Sequence, residues 1–304
     1  MSANPKLYTL DLHFQGQEKT IASYLIPHSE GGILVECGPG STQETLQSQC
    51  NEHGFSVEDI SDVLLTHIHL DHAGAAGWLA RQGAQIHVHH VGAPHMIDPE
   101  RLLSSAKRIY GDQMDSLWGP FLPVPQESIS ILHDGDKITI GDQEFQALDT
   151  PGHAYHHMAY LWEDVCFSGD IGGVRIQTPG PRHLRIPMPP PSLHLGKWKE
   201  SIEKLQAKQF SRIACTHFGI YPDVNWHLQA VLEEINAVES WMHATLPQNM
   251  PPEKLREMFS DWAERRSLSA EMKATWLETY EGANPSFMSA DGIRRYWKTE
   301  IKNE

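Results

Sequence analysis

The feature that most constrains this chain is a dense group of histidine and aspartate residues at Thr66–Gly74, with the sequence Thr-His-Ile-His-Leu-Asp-His-Ala-Gly. It places four potential metal ligands within six positions, directly after the apolar run Val63–Leu65. A strand that ends in a short loop directs alternating side chains into one pocket. Imidazole and carboxylate groups without a thiolate suit zinc, iron or manganese. The segment therefore predicts a metal-dependent active site.

Length, charge and hydrophobicity exclude several classes of protein. The chain has 304 residues, of which 40% are hydrophobic, and this is enough to bury a substantial core. The formal net charge of −15 argues against a nucleic-acid surface, because phosphate binding needs a basic footprint. No stretch is apolar enough to span a bilayer, and residues 1–6 lack an apolar leader. We expect a cytoplasmic protein that binds neither membrane nor nucleic acid.

The cysteines give a second indication of the compartment. Cys37, Cys50, Cys166 and Cys215 show no C-x-x-C pairing and no regular spacing. Unpaired buried thiols in a reducing cytosol are the simplest interpretation, and we expect no disulfide.

The order of strand-like and helical segments predicts a layered α/β core. Strands are predicted at 6–14, 21–26, 32–36, 63–66, 85–89, 136–140, 144–149, 157–161, 165–168 and 212–215. Helices are predicted at 41–50, 73–82, 94–118 and 198–205. We expect Ser41 to cap the first of these helices, with Glu44 at the reach-back position of a capping box.

The pattern changes after Pro222, where helical periodicity occupies 224–246, 253–266 and 269–280. We therefore divide the chain into a catalytic region, residues 1–223, and a helical C-terminal region, residues 224–304. The tryptophans of this tail are expected to be core or interface anchors. They leave two arrangements open, a homodimer that buries an apolar helical face and a tail that packs on its own core.

The motif His67-x-His69-x-Asp71-His72 resembles that of the metallo-β-lactamase-fold hydrolases. Three further segments occur in the order that this superfamily uses: Thr150–His153, Phe167–Asp170 and Cys215–Gly219. The resemblance covers about residues 7 to 222 and leaves the helical tail unmatched. It implies an α/β fold, a four-layer αββα sandwich to which the helical C-terminal region is appended.

Carried over onto this sequence, the resemblance implies a pair of metal sites and a set of seven ligands. The first site would use His67, His69 and His153, the second Asp71, His72 and His217, and Asp170 would bridge both metals. Two such cations lower the pKa of a shared water, so that hydroxide exists near neutral pH. Asp71 would also orient this nucleophile, as a catalytic residue.

Departures from neighbouring families narrow the expected activity. Asp170 and the lack of cysteine among the seven ligand positions argue against β-lactamases that use a thiolate. A histidine at position 69, where di-iron flavoprotein relatives have Glu, disfavours flavin chemistry. A glyoxalase II would share all seven ligands, but the C-terminus shows no recognisable basic glutathione-binding set. The turn Glu36-Cys37-Gly38 replaces the Asp-Thr-Gly that is frequent in this superfamily, and its role stays open.

The leading hypothesis is a dinuclear metal hydrolase of the glyoxalase II and lactonase-like branch. It would hold two divalent ions, zinc before iron or manganese, and cleave a small ester, thioester or lactone through a metal-bridging hydroxide. One alternative is an iron oxygenase of the persulfide dioxygenase type, which would use only His67, His153 and Asp170. A phosphodiesterase is the other. A metal-binding or interaction protein is the least supported.

Four residues near the motifs have two interpretations each. The hydroxyl of Tyr155 or Tyr221 could stabilise an oxyanion, but an ordinary hydrogen-bonded tyrosine is favoured. His156 and His157 could reach substrate, but a supporting hydrogen bond behind the ligands is favoured.

Two longer segments are candidates for the walls of a substrate pocket. The insert 94–125 is apolar and helical, and it would either cover the cleft or pack on the core. The segment 175–191 contains Arg182, His183, Arg185 and a run of prolines. It would form a pocket wall that attracts a carboxylate, or serve as a rigid connector, which is slightly favoured.

Overall fold

The computed structural model describes residues 6–178 and 180–302. The sequence-based expectation for residues 1–5, the lack of an apolar leader, lies outside the described residues. Within the described part of the chain, twelve strands form two six-stranded sheets. Their bounds are β1 Tyr8–Asp11, β2 Ala22–His28, β3 Gly31–Val35, β4 Ile60–Leu64, β5 Gln85–His89, β6 Ile129–Leu132, β7 Lys137–Ile140, β8 Gln143–Asp149, β9 Met158–Trp162, β10 Val165–Phe167, β11 Arg212–Cys215 and β12 Gly219–Tyr221.

Helices cover the outer faces of these sheets. Their bounds are α1 Gln43–Glu52, α2 Leu70–Ala73, α3 Ala76–Arg81, α4 Ala93–Ile97, α5 Glu100–Tyr110, α6 Met114–Trp118, α7 Leu195–Gln206, α8 Val224–Thr245, α9 Pro252–Ser269, α10 Leu277–Ala283 and α11 Ser286–Tyr296, which continues as a π-turn at Trp297–Ile301. Among the described residues, no helix combines the length and apolar character that a membrane crossing requires.

The first sheet has the order β1-β2-β3-β4-β5-β6. The pairs β1–β2 and β2–β3 are antiparallel, and the strands from β3 to β6 are parallel. Val35 at the end of β3 lies opposite Leu64 at the end of β4. Parallel strands place their carboxyl ends at one edge of a sheet, so the turn at Glu36 and the histidine motif meet at that edge.

The second sheet has the order β12-β11-β10-β9-β8-β7, in which only the β10–β11 pair is parallel. Its inner face packs on the first sheet through a buried cluster that includes Tyr24, Ile33, Phe145, Trp162 and Phe167. The helices α1 to α6 contribute to a cluster on the outer face of the first sheet, and α7 and α8 to one on the second. The molecule is therefore a four-layer αββα sandwich, as the family resemblance implied.

The C-terminal helices pack against the catalytic region. A single buried cluster joins Trp198 of α7 to Val231 of α8, Phe259 of α9 and Ile293 of α11. Each of these side chains is at most 3% exposed. The division of the chain after residue 223 stays a prediction. All four cysteines are buried and unpaired, as predicted.

Several local predictions were wrong. Ser41 does not cap α1: it lies in a 3₁₀ turn, and its hydroxyl donates to the Leu117 carbonyl at 2.6 Å. The helix predicted at 269–280 is interrupted, because Glu271 has a φ of 60° between α9 and α10. The strands β6 and β12 and the helix α11 were not predicted. The two strands are short, with four and three residues. The helix α11 begins directly after Pro285, beyond the last predicted helix at 269–280.

Candidate metal centre

The predicted ligand residues all follow the carboxyl ends of strands. β4 leads through Thr66 into the histidine motif, and α2 carries the last two of its ligand residues. The other three follow β8, β10 and β11, at positions 153, 170 and 217. Four strand ends therefore direct seven side chains toward one region between the two sheets.

The first group consists of three histidines. His67 Nε2 and His153 Nε2 each lie 2.9 Å from His69 Nδ1. The rings of His67 and His153 are buried, and His69 lines an adjoining cavity. Three imidazole nitrogens that converge at these distances can share one cation.

The second group consists of Asp71, His72 and His217. Asp71 Oδ2 lies 3.6 Å from His72 Nε2 and 3.4 Å from His217 Nε2. Both rings are buried, while the Asp71 side chain remains 23% exposed. A carboxylate and two imidazoles form a second set of donors that suits a divalent metal.

Asp170 lies between the two groups. Its Oδ2 is 3.3 Å from His153 Nε2, and its Oδ1 is 3.2 Å from His72 Nε2 and 3.4 Å from His217 Nε2. Asp170 Oδ1 and His72 Nε2 are buried and have no hydrogen-bond partner. Buried polar atoms are normally satisfied, so this pair of acceptors fits a cation between them.

Hydrogen bonds behind the rings define their tautomers. Four of the five histidines use Nδ1 for this purpose: His67 with Thr66 Oγ1 at 3.1 Å, His72 with Glu36 Oε1 at 3.0 Å, His153 with the Pro187 carbonyl at 2.9 Å and His217 with the Thr20 carbonyl at 2.6 Å. The carbonyl and carboxylate partners of His72, His153 and His217 only accept, so Nδ1 of these rings carries the proton and the lone pair of Nε2 points into the site. The same holds for His67, because the Thr66 hydroxyl uses its proton for Glu36 and accepts from the ring. His69 is the exception, since it directs Nδ1 inward.

The turn at Glu36 has a role that the sequence left open. Glu36 is 1% exposed, and its carboxylate accepts hydrogen bonds from the hydroxyl and the N–H of Thr66, from the Thr216 hydroxyl and from His72 Nδ1–H. Thr66 directly precedes His67, and Thr216 directly precedes His217. One carboxylate therefore connects the ends of β3, β4 and β11 and positions a ring of the second group.

Burial and neighbouring charges set the protonation states. Burial, reinforced by the neighbouring histidines, lowers the pKa of His67 well below its usual range and that of His69 to about 3. Burial opposes the ionisation of Asp71, but His72 and His217 outweigh it and lower the pKa of Asp71 to about 2. The first group therefore consists of neutral imidazoles beside ionised carboxylates, the forms in which these groups bind metal. In the second group burial opposes protonation, but the charges of Asp170 and Asp71 outweigh it and raise the pKa of His72 and His217, so a bound cation would take the place of these protons.

A cavity of about 580 Å³ opens above the two groups. Asp71, Asp170 and His217 form part of its floor. The insert provides one wall through α5 and α6, so it covers the cleft in addition to packing on the first sheet. Residues 187–191 and the start of α11 provide the facing wall.

The basic residues of the segment 175–191 do not face this cavity. Arg185 Nη1 is 2.6 Å from Glu281 Oε1, and Arg182 Nη1 is 2.8 Å from Asp223 Oδ2. His183 is buried against Ser267. Of the two interpretations of this segment, the prolines do line the cavity, but the basic side chains do not reach it and are not placed to attract a carboxylate there. Glu281 of α10 forms an ion pair with Arg185, and Asp223, directly before α8, forms one with Arg182.

The residues with two interpretations are now placed. The Tyr221 hydroxyl donates to the carbonyls of Arg175 and Phe218 and lies outside the cavity lining, which confirms the ordinary tyrosine. Tyr155 lines the cavity and is 39% exposed. His157 Nδ1 lies 2.9 Å from Thr150 Oγ1, behind the ligands, whereas His156 lines the cavity.

Tyr110 of the insert is a site residue that belongs to none of the sequence motifs. Burial, with a further contribution from the nearby Asp71 charge, raises the pKa of Tyr110. Its hydroxyl donates to Met288 Sδ at 3.0 Å, across a separation of 178 residues. No local pattern predicts this contact, because it requires the insert and the C-terminal helices to meet above the metal groups.

Comparison with known proteins identifies the family. The family model described as the metallo-beta-lactamase superfamily matches residues 17–217. A hydroxyacylglutathione hydrolase of Vibrio campbellii is 26% identical over 286 residues, which are 91% of this chain and 94% of the relative. The lactamase-like protein adaB of Aspergillus niger is 32% identical over 152 residues, 49% of this chain, and the match spans only 38% of that relative.

The fold is also found in solved structures. The metallo-beta-lactamase family protein TTHA1429 from Thermus thermophilus superposes with a TM-score of 0.62 and 21% identity. The superposition covers 97% of this chain and 93% of the other, so the C-terminal helices are included. At this identity the likeness shows the fold alone. Since the family model matches more than half of the chain, this protein belongs to the metallo-beta-lactamase superfamily.

Proposed function

We propose that this protein is a metal-dependent hydrolase that holds two divalent ions, zinc in the first place, and cleaves a small ester, thioester or lactone. The observation that carries the proposal is the placement of Asp170. One of its carboxylate oxygens faces His153 of the first group, and the other faces both histidines of the second group. A carboxylate in this position suits two cations a few ångströms apart.

The residues that would hold the two ions are those of the two groups. The first ion would be held by His67, His69 and His153, the second by Asp71, His72 and His217, with Asp170 shared between them. When bound, the ions supply Lewis acidity and lower the pKa of a water between them, so that a hydroxide nucleophile is available near neutral pH.

The protein's own side chains orient and shield this chemistry. The Nδ1 hydrogen bonds hold the imidazole rings in place, and Glu36 holds His72 and the two threonines that precede ligand residues. Asp71 lies on the cavity floor, where its carboxylate can accept a hydrogen bond from the attacking water and orient it. The insert and the proline wall flank the cavity, so a substrate bound between them would displace water from around its reacting carbonyl.

Three observations favour this reaction over the alternatives. An iron oxygenase would need only His67, His153 and Asp170, whereas the second group is complete and buried around its two histidines. Two metal ions would also suit a phosphodiester, but beyond them Arg101 is the single lysine or arginine among the described residues that line the cavity, so the lining adds little charge to hold a phosphate group. The name of the Vibrio relative states hydrolysis of a hydroxyacylglutathione, which supports hydrolysis as the class of reaction.

The test is hydrolysis by zinc-loaded protein of a panel that contains 4-nitrophenyl acetate, an S-acyl cysteamine thioester, a γ-lactone and bis-4-nitrophenyl phosphate. We expect turnover of at least one ester, thioester or lactone, and its loss in Asp170→Ala. The matched control is Asp261→Ala, which removes an exposed carboxylate of α9 and should keep full activity. Full activity in Asp170→Ala, or turnover of the phosphodiester alone, would contradict the proposal.

Two further proposals concern the setting of the enzyme. The four buried, unpaired thiols support a cytoplasmic location. The homodimer suggested by the tail's tryptophans stays a prediction. Light scattering in solution checks it, since the mass of one chain is 34.3 kDa.

A further inference from the structure

We propose that the substrate carries an extended apolar acyl group, and that the cavity above the metal centre binds this group. The inference rests on the proposed hydrolase function and adds the chemical class of the acyl part. The cavity adjoins the side chains on which the reaction would take place, since Asp71 and Asp170 belong to its floor. A group attached to the reacting carbonyl therefore has to occupy this space.

The insert presents an apolar helical face to the cavity. Leu102, Ala106, Ile109 and Tyr110 of α5 all line it. Their spacing follows one side of an α-helix, which places them in a continuous stripe. The opposite side of α5 is exposed at Lys107. The sequence of α5 therefore separates a lining face from a solvated face.

The facing wall is also apolar. Met188 and the neighbouring prolines of residues 187–191 line the cavity together with Phe287 and Met288 at the start of α11. The hydrogen bond from the Tyr110 hydroxyl to Met288 Sδ joins this wall to α5. Proline and methionine side chains offer no strong hydrogen-bond donor or acceptor to a ligand, so this wall selects for apolar contact.

Exposed hydrophobic side chains collect along the cavity. Among the described residues, five large hydrophobic side chains are exposed, and three of them line it: Val91, Tyr155 and Phe287, at 42%, 39% and 41%. Single exposed hydrophobic residues need no explanation, but a set around one opening indicates a surface that a ligand covers.

The charges of the lining lead to the same class of substrate. Arg101 lies in the first turn of α5 and is exposed, and Glu281 is engaged by Arg185. The remaining acidic residues of the lining are Asp71 and Asp170 at the metal groups. An anionic acyl group in the cavity would lose its hydration and find Arg101 as the single lysine or arginine of the described lining, beside uncharged polar side chains such as Gln113 and Asn284. An apolar one gains from the removal of its surface from water.

The size of the cavity sets the expected effect. A volume of about 580 Å³ lies within the range of small-molecule pockets, which bury most of a ligand's surface. A fully buried methylene improves binding by up to about fourfold. We therefore expect octanoyl compounds to exceed acetyl compounds by at least on the order of tenfold, even with partial burial of the chain.

The experiment combines catalysis with binding. The first measurement is kcat/KM of zinc-loaded protein for 4-nitrophenyl acetate, butyrate, hexanoate and octanoate. The second is the calorimetric Kd of acetohydroxamate and octanohydroxamate, which carry the same chelating head on different chains. We expect kcat/KM to rise along the series and octanohydroxamate to bind at least about tenfold more tightly.

A pair of variants on the same helix assigns the effect to the cavity. Ile109→Gln places an amide on the half-buried lining face of α5 and should flatten both dependences on chain length. Lys107→Gln introduces the same amide on the exposed face and should leave both unchanged. If Ile109→Gln does not fold, the dependence of kcat/KM and Kd on chain length in the unmodified protein and in Lys107→Gln still tests the inference.

The outcomes separate this inference from the proposed function. Turnover of the acetate with no gain from longer chains, together with equal Kd values for the two hydroxamates, would overturn the acyl-group inference and leave the hydrolase in place. No hydrolysis of any ester, with tighter binding of octanohydroxamate, would overturn the hydrolase and retain an apolar ligand site. A preference for S-lactoylglutathione over octanoyl compounds would also overturn the inference.

Discussion

The carboxylate of Glu36 gives the sharpest test of how the metal centre is positioned. In Glu36→Gln, the amide oxygen can replace Oε1 and keep the contacts with His72 and the two threonine hydroxyls. The amide nitrogen then replaces Oε2, which accepts from the Thr66 N–H at 3.3 Å. Two donors would face each other in a site that is 1% exposed.

The cost follows from these contacts. An unpaired buried N–H costs about 1–3 kcal/mol, and the loss of charge weakens the hydrogen bond to His72 by about 1 kcal/mol more. We expect the free energy of unfolding of the metal-free protein to fall by about 2–4 kcal/mol. Hydrogen bonds behind a metal ligand typically contribute about 10- to 100-fold to metal affinity, so we expect zinc affinity to fall in that range.

The assay pairs urea unfolding of the metal-free protein with zinc competition against a chromogenic chelator. The matched control is Glu44→Gln, which removes the same charge from an exposed position of α1 and should change neither quantity. If Glu36→Gln retained zinc affinity within about twofold of the unmodified protein, the positioning role of Glu36 would be refuted.

Three further predictions concern stability and metal dependence. Burial, with Arg175 nearby, lowers the pKa of His227 to about 4, so the unfolded chain, at about 6.5, takes up its proton first. The contribution of His227 to stability is therefore complete above pH 6.5 and falls as pH drops toward 4. Other buried histidines titrate in the same direction, so the difference between the two proteins is the quantity to measure: between pH 7.5 and 5 we expect the unmodified protein to lose about 2 kcal/mol more than His227→Gln in urea unfolding. A Cβ at Gly292 would lie 1.9 Å from the Met188 carbonyl oxygen, so Gly292→Ala should lower the free energy of unfolding by about 1–3 kcal/mol. The control is Gly196→Ala, whose Cβ would lie 3.4 Å from its nearest contact and which should not lower it. Equal stability of the two variants would contradict the packing of α11 on the proline wall. Prolonged chelation should abolish ester hydrolysis and added zinc should restore it, as followed by 4-nitrophenol release; activity that survives complete metal removal would exclude a metal-dependent mechanism.

Local sequence was sufficient for the parts of the site that depend on strand ends. His67, His153, Asp170 and His217 each follow a recognisable apolar run, and parallel or adjacent strands bring such ends together. The resemblance implied their grouping around two metals, which stays a prediction, and Asp170 lies 3.2–3.4 Å from nitrogens of His72, His153 and His217.

The parts that could not be predicted depend on contacts between distant segments. The sequence predicts a helix cap at Ser41, but the Ser41 hydroxyl donates its hydrogen bond to the Leu117 carbonyl of the insert. Arg182 and Arg185 lie in a segment whose sequence is compatible with an anion site, but they form ion pairs with Asp223 and Glu281 instead. The contact of Tyr110 with Met288 has no local pattern at all. Tertiary partners decided each of these cases, and no spacing rule reports them.

The placement of Asp170 between two groups of ligands is the central claim, and metal content tests it most directly. The measurement is elemental analysis of the purified protein and of Asp170→Ala, quantified per chain for zinc, iron and manganese. The account predicts about two divalent ions per chain in the unmodified protein, predominantly zinc, and their loss in Asp170→Ala. A single iron per chain, or two ions that remain bound in Asp170→Ala, would contradict it.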